Sequence, residues 1–412
     1  MSVLPSLPLP EPLRGSDADT FTERTMTVRV PDIGRRVLAE NAFAPEIVAR
    51  LEQLVHEVPY GKIRPLSDPA APDLTAWQAH IEPYIGQNWL TVPWFFAETY
   101  FFRRIIEAID YFGDGSGAGA DPFAYQKRLG LETSLGAIRS LAQFESRWLG
   151  EAGRLDVLQQ LLSADLWGNQ ADMGLWAPDD ESQPRHTDET TRDAHLLVDD
   201  RTAVSQHLLD HAGHVIFVVD NAGLELIGDL VLADYLLQTG TAVSVTLHLK
   251  IHPTFVSDAT IANVQETIRF LQEDSDSATR ALGKRLAQLV ENGSFDKLST
   301  ARLQLTAHPF WTSPLPWWEL PAYLKAELSA AHLVISKGDA NYRRLAGDRH
   351  WPHTTPFADV MSYQPSPLLA LRTHKSEVAI GLSPAQIAWL NQHHPEWLTN
   401  GEWGVIQFYF RD

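Results

Sequence analysis

One stretch, HVIFVVDNAGLELIGDLVLADYLL at 214–237, constrains the fold more than any other part of the chain. Residues 214–219 are β-branched, aromatic and apolar without alternation, the composition of a strand buried on both faces of a parallel sheet. Polarity returns at once with Asp220 and Asn221, followed by Ala222 and Gly223. Apolar residues then recur at Leu226, Leu230, Ala233 and Leu237, which is helical spacing. The unit reads strand, tight polar turn, helix. Ligands of open α/β sheets gather beyond the carboxyl ends of the strands, so Asp220 and Asn221 stand where chemistry is expected. Two adjacent oxygen-bearing side chains there suit a hard divalent cation such as Mg or Mn.

The rest of the chain is ample to support such a unit, with 412 residues, 44% of them hydrophobic and 13 of them Trp. A formal net charge of -19 argues against a nucleic-acid backbone or an anionic membrane as partner, so any cationic cluster must be local. Cysteine is absent, which excludes disulfides, thiolate metal sites and Cys nucleophiles. The first residues lack a basic n-region and a continuous apolar stretch, and no apolar run approaches membrane-spanning length. A cytoplasmic protein with no nucleic-acid and no membrane partner is expected.

Three regions follow from the patterning. Pro5, Pro8, Pro10 and Pro12 favour an extended arm over residues 1–20. Periodic apolar residues mark a helical region over 21–190, closed by the polar, proline-punctuated segment 176–192. Within it GDGSGAGADP at 113–122 loosely matches a dinucleotide fingerprint, but a helix rather than a strand precedes it, and a plain loop is the better reading. Over 191–412 strands alternate with helices, the strands falling at 214–219, 242–249, 332–336, 367–371 and 404–410. The fold class is therefore α/β, a mainly parallel sheet covered on both faces, plus an N-terminal all-helical region.

What stands at the strand ends is more informative than any single motif. The first strand ends in Asp220 and Asn221, with Glu225 one helical turn on; the second leads through Lys250 and His252 to Ser257 and Asp258. The third ends in Lys337, Gly338, Asp339, Ala340, Asn341 and Tyr342, and the fourth in Arg372, Thr373, His374 and Lys375. A divalent ion held by Asp220, Asn221 and Asp258 and faced by Lys337, Arg372 and Lys375 would clamp a phosphoryl group from both sides. Gly338, lacking a Cβ, would let backbone approach an anion at the start of the next helix. Blander roles exist for several of these residues: an N-cap for Asp258, a helix-first-turn acid for Glu225, solvation or local pairing for Asp229 and Asp234.

With those residues in view, the chain resembles the ARMT1-like branch of the DUF89 family of metal-dependent damage-control phosphatases. The motifs that carry the resemblance are VDNAGLELIGDLVLADYLL at 219–237, FVSDATI at 255–261, ISKGDANYRRLAGDRHW at 335–351 and RTHKSEVAIGL at 372–382, where His374 replaces a more usual leucine. The resemblance implies a three-layer α/β/α sandwich over 191–412 with a divalent metal, Mn, Co, Ni or Mg, on Asp220, Asn221 and Asp258. It also implies contact with the phosphorylated substrate from the loop Lys337 to Tyr342 and from Lys375 of the Arg-Thr-x-Lys motif. The expected activity is hydrolysis of small phosphorylated metabolites, sugar phosphates such as fructose 1-phosphate or fructose 6-phosphate among them, by a metal-bound water, in metabolite damage control. Lys337, Asp339, Asn341, Arg372 and Lys375 shape the phosphate pocket in this reading, Glu225 orients water or a hydroxyl, and Glu98 and Asn169 close the site over the sugar. Two alternatives stand beside it. One is an aspartyl-phosphate route through Asp220, for which position 222 offers Ala where an acid is needed; the other is an S-adenosylmethionine-dependent carboxyl methyltransferase, for which no glycine-rich loop follows the first strand.

Overall fold

The computed structural model describes residues 4–150, 152–168, 193–291 and 302–410. Seven strands form one sheet: β1 (Leu196–Asp199), β2 (Gly213–Val218), β3 (Ala242–Leu249), β4 (Leu303–Ala307), β5 (Leu333–Lys337), β6 (Leu368–Thr373) and β7 (Gly404–Tyr409). Their order is β1-β7-β6-β5-β2-β3-β4. All neighbours are parallel except β6 and β7. The five expected strands are present with ends shifted by a residue or so, while β1 and β4 are additions. Both are short and lie at the two edges of the sheet, where one free side relaxes the need for a continuous apolar run.

Strand β2, in the interior of the sheet, shows why the sheet needs two coats. Val215, Ile216, Phe217 and Val218 are all fully buried, but successive side chains point to opposite faces. Ile216 and Val218 join a core shared with the aromatic helix α1 (Trp94–Ala108), whereas Val215 and Phe217 join one shared with α4 (Leu224–Gln238). Helix α4 is buried from Glu225 to Leu237 because it is itself sandwiched, with the sheet on one side and α2 (Leu135–Ser146) and α3 (Leu155–Trp167) on the other. The two helices come close at Gly228, where a Cβ would lie 2.7 Å from Oδ1 and 3.1 Å from Cα of Asp165 on α3. One coat of the sheet is thus drawn from both sides of residue 190.

The described part of the N-terminal arm is extended and ties distant segments together. Residues Pro12 and Arg14 form isolated bridges with Arg349 and Pro93, and the Trp94 amide at the start of α1 donates to the Leu13 carbonyl at 2.7 Å. Among the described residues no helix is long and apolar enough to cross a membrane.

Asp229 and Asp234 of α4 are fully buried and ion-paired rather than solvated, Asp229 to Lys337 and Asp234 to Arg285. Arg285 also donates to Glu145 of α2 at 2.8 Å, so one guanidinium serves two buried carboxylates. Burial, then the neighbouring Asp234, pushes Glu145 up to about 9 from its ordinary 4.5. A carboxyl whose folded pKa lies above its unfolded one binds more protons when folded, so its contribution to stability is complete below pH 4.5 and is lost as pH rises toward 9. Glu145→Gln, which keeps the hydrogen bonds without the proton, should therefore raise Tm over the wild type by a few degrees at pH 8.5 and by much less at pH 5.5, measured by differential scanning calorimetry.

Candidate active site

The order of the sheet reverses between β2 and β5: from β2 the chain proceeds outward to β3 and β4, and from β5 it proceeds the other way to β6. Crevices open beyond the carboxyl ends of strands at such a reversal. Asp220 and Asn221 leave β2 there. Their turn pairs backbone to backbone with the segment after β3, the Ala259 amide donating to the Asp220 carbonyl at 2.8 Å and the Ala222 amide to the Ser257 carbonyl at 2.7 Å. The antiparallel bridge Asn221–Asp258 between these bonds brings Asp258 beside Asp220 and Asn221.

Two consecutive left-handed residues, Phe255 at φ 47° and Val256 at φ 68°, reverse the chain into that segment. The conformation is costly for a β-branched residue and survives only where surroundings hold it. Val256 is fully buried, and the Phe255 ring packs against Phe95 and Phe102 of α1 at 6.2 and 5.0 Å. Asp258 is not the cap of the following helix (Ile261–Glu273); Thr260 is, in a reciprocal box with Asn263. Its carboxylate instead meets the Lys250 ammonium at 3.1 Å, while Lys127, reaching over from the helical region, donates to its carbonyl at 2.9 Å.

Asn221 is clamped on both ends of its amide. Its Nδ2 donates to Asp220 Oδ2 at 3.2 Å and to Glu225 Oε2 at 2.7 Å, and its Oδ1 accepts from the Ser257 hydroxyl at 2.5 Å. Glu225 thus lies beneath the site rather than in it. Burial pushes its carboxyl up to about 7 against the lowering influence of Lys337 and Asn221.

From β5 the chain enters α5 (Gly338–Ala346) through Gly338 at φ +78°, and any Cβ there would overlap the Asp220 carboxylate. Lys337, expected among the phosphate contacts, faces the other way. It shares the α4-facing side of β5 with Leu333 and Ile335, and its ammonium is buried against Asp165, against Asp229 at 2.9 Å and near Glu225 at 3.8 Å. Burial alone would lower its pKa, but these carboxylates outweigh burial and hold it above the ordinary lysine range. Three other expected substrate contacts also serve as supports. Arg372 is fully buried, donates to Asp339 at 2.7 Å and stacks over Tyr342 with Cζ 4.3 Å from the ring centre. Asn341 donates to the Lys337 carbonyl at 2.9 Å, and Tyr342 to Gln407 at 2.7 Å.

The residues that do meet line one small cleft: Asp220, Asn221, Asp258, Asp339, Ala340 and Lys375, with Glu98 from α1. Asn169 lies outside the described residues. Arg29, Trp94, Phe255 and Arg343 also line the cleft and were not anticipated from sequence. Arg343 had a signal, since it follows Asp339 by four positions and so shares its helix face; Trp94 relates to Glu98 in the same way. Arg29 ends a five-residue π-turn, Thr25–Arg29, which apolar periodicity does not announce.

Two carboxylates and an amide, converging from two strand ends, form an all-oxygen donor set that fits a hard divalent cation. Among the described residues no cluster of three or more His, Asp or Glu could hold a metal, so this mixed set is the candidate. Two substitutions separate the buried support from the cleft. Lys337→Met should destabilise the fold by about 3–5 kcal/mol in chemical denaturation, because it leaves neighbouring carboxylates buried without a counter-charge. Gly338→Ala should cost less stability than Lys337→Met, through its left-handed φ, but should lower divalent-cation affinity by calorimetry, because its clash falls on Asp220.

Comparison with known proteins places the chain in a family. The damage-control phosphatase ARMT1-like domain matches residues 25–388. Damage-control phosphatase ARMT1 of Danio rerio is 32% identical over 366 residues, covering 82% of this chain and 80% of that protein. The protein of the same name from Mus musculus is 30% identical over 446 aligned positions, covering 96% of this chain and 98% of its own length. A crystal structure of a DUF89 family protein from Pyrococcus horikoshii aligns at 14% identity with a TM-score of 0.46, covering 87% of this chain and 95% of that one. With the domain match spanning most of its length, the chain belongs to the ARMT1-like damage-control phosphatases of the DUF89 family.

Proposed function

We propose that this phosphatase hydrolyses small phosphorylated metabolites, sugar phosphates such as fructose 1-phosphate or fructose 6-phosphate, in metabolite damage control with Mn, Co, Ni or Mg. The observation that carries the reading is the meeting of Asp220, Asn221 and Asp258 with Lys375 in one cleft at the reversal of the sheet. A divalent cation bound by Asp220, Asn221 and Asp258 supplies Lewis acidity and lowers the pKa of water beside it.

The chain's own residues do the rest. Lys375, two residues past the end of β6 and only 4% exposed, presents a positive charge to the phosphoryl group. The first amides of α5 point toward the same cleft with the positive end of the helix dipole, and Ala340 leaves space for an anion to approach. Asp339 is held by Arg372 and by the Ser376 hydroxyl at 3.0 Å, which leaves its carboxylate oriented to accept a substrate hydroxyl. Glu225 fixes the direction of the Asn221 amide. Trp94 and Phe255 supply apolar walls that thin the water around the reacting group.

Phosphate release from a panel of sugar monophosphates, with each metal and with a chelator, tests the proposal. Activity should require metal, vanish in Asp220→Ala and Asp258→Ala, and fall about a hundredfold in kcat for Lys375→Ala. Wild-type rates in chelator or in either aspartate variant overturn it.

A further inference from the structure

The wall of the cleft formed by Arg29, Trp94, Glu98 and Arg343 contains two arginines, yet its positive charge is already matched. Arg343 Nη1 donates to Glu98 Oε2 at 2.6 Å, and Arg343 Nε donates to Asp348 at 2.8 Å. Its guanidinium also lies flat over Trp94, with Cζ 3.5 Å from the ring centre. Arg29 Nη1 stands 3.7 Å from the other Glu98 oxygen, close enough for attraction but too far for a hydrogen bond. Arg343 is therefore committed to two carboxylates, Glu98 at the cleft and Asp348 behind it, and Glu98 is the carboxylate this wall presents to a ligand.

Glu98 is the centre of this arrangement. It is only 1% exposed yet lines the cleft, and its two arginine partners come from separate segments. Arg29 is brought in by the π-turn Thr25–Arg29, the kind of local helix distortion often found at functional sites. The short helix before that turn is anchored to Glu377, which accepts from the Phe21 amide at 3.0 Å and the Thr22 hydroxyl at 2.6 Å. Glu377 lies two residues past Lys375, so the wall is coupled to the phosphoryl end of the cleft.

We infer that Glu98 is a specificity-determining residue: its carboxylate accepts hydroxyls of the substrate's uncharged end and turns away substrates bearing a second phosphoryl group. The inference rests on the phosphate-ester reading above and narrows it to singly phosphorylated polyols and sugars. A second phosphoryl carries about -1.5 to -2 charge at neutral pH and would meet the Glu98 carboxylate with Arg343 already hydrogen-bonded to Glu98 and Asp348 and with Arg29 drawn toward that same carboxylate.

The test compares fructose 1-phosphate with fructose 1,6-bisphosphate, by ligand-induced thermal shift in magnesium and again in chelator, with phosphate release recorded in parallel. Wild type should favour the monophosphate by about tenfold or more. Glu98→Gln should reduce that preference to within about threefold, mainly through tighter binding and lower KM for the bisphosphate, and Glu98→Asp, which keeps the charge, should retain most of it. Arg29→Met removes a positive charge at the rim and should sharpen the preference, which keeps the test open if Glu98→Gln does not fold. Equal binding of both ligands by wild type, no binding of either under both conditions, or an equal loss for both ligands in Glu98→Gln overturns the inference. Selective binding without phosphate release would remove the hydrolytic reading and leave the role of Glu98 standing.

Discussion

A single ammonium group buried between sheet and helices underlies this molecule. Lys337 closes β5, and around it stand Asp165 of α3 and Asp229 and Glu225 of α4. Removing these groups from water is expensive, and mutual attraction in a low-dielectric interior recovers the cost only while all partners are present. The cluster therefore works as a registration device. It sets the height of α4 against the end of β5, and through Glu225 it sets the amide of Asn221. The positions of Asp220 and Gly338, which come within contact of each other, follow from that alignment.

Above the cluster the cleft is assembled from backbone pairing and from side chains that tie one strand end to the next. The bridge between Asn221 and Asp258 joins the ends of β2 and β3, and Asn341 joins the end of β5 to that of β2 with a 2.9 Å bond to the Lys337 carbonyl and longer ones to Val218 and Val219. Arg372 performs the corresponding task for β6, spending its donors on Asp339, Ser376 and the Val378 carbonyl. Such supports hold the groups facing the cleft within narrow limits, as electrostatic preorganisation requires.

Much of this was legible in the chain. Residues 214–219 announced a doubly buried strand because burial on both faces leaves no place for a polar residue, and Asp220, Asn221 and Asp258 were legible because polarity at strand ends has a preferred location. Lys337 was misplaced for an equally physical reason. A charged residue at a strand end reads as a site residue, whereas strand alternation puts it on the face of Leu333 and Ile335, and its counter-charge Asp165 is remote in sequence. Arg372, Asn341 and Tyr342 stood in the right loops, but whether a polar side chain faces a cleft or props it up depends on partners that spacing does not reveal. Arg29 depended on a π-turn and on anchoring by Glu377, both invisible to periodicity. The two edge strands were too short to register as runs.

The arm that clips Arg349 to Pro93 has a consequence for how the molecule comes into being. Contacts between residue 12 and residue 349, and between residue 22 and residue 377, can form only after nearly the whole chain has left the ribosome. Because Arg29 and Lys375 line the same cleft, no N-terminal fragment that stops short of residue 375 carries both sides of it. Contacts so distant in sequence close late and slowly, so a nascent chain waits with its aromatic helix α1 partly uncovered until residue 377 has emerged.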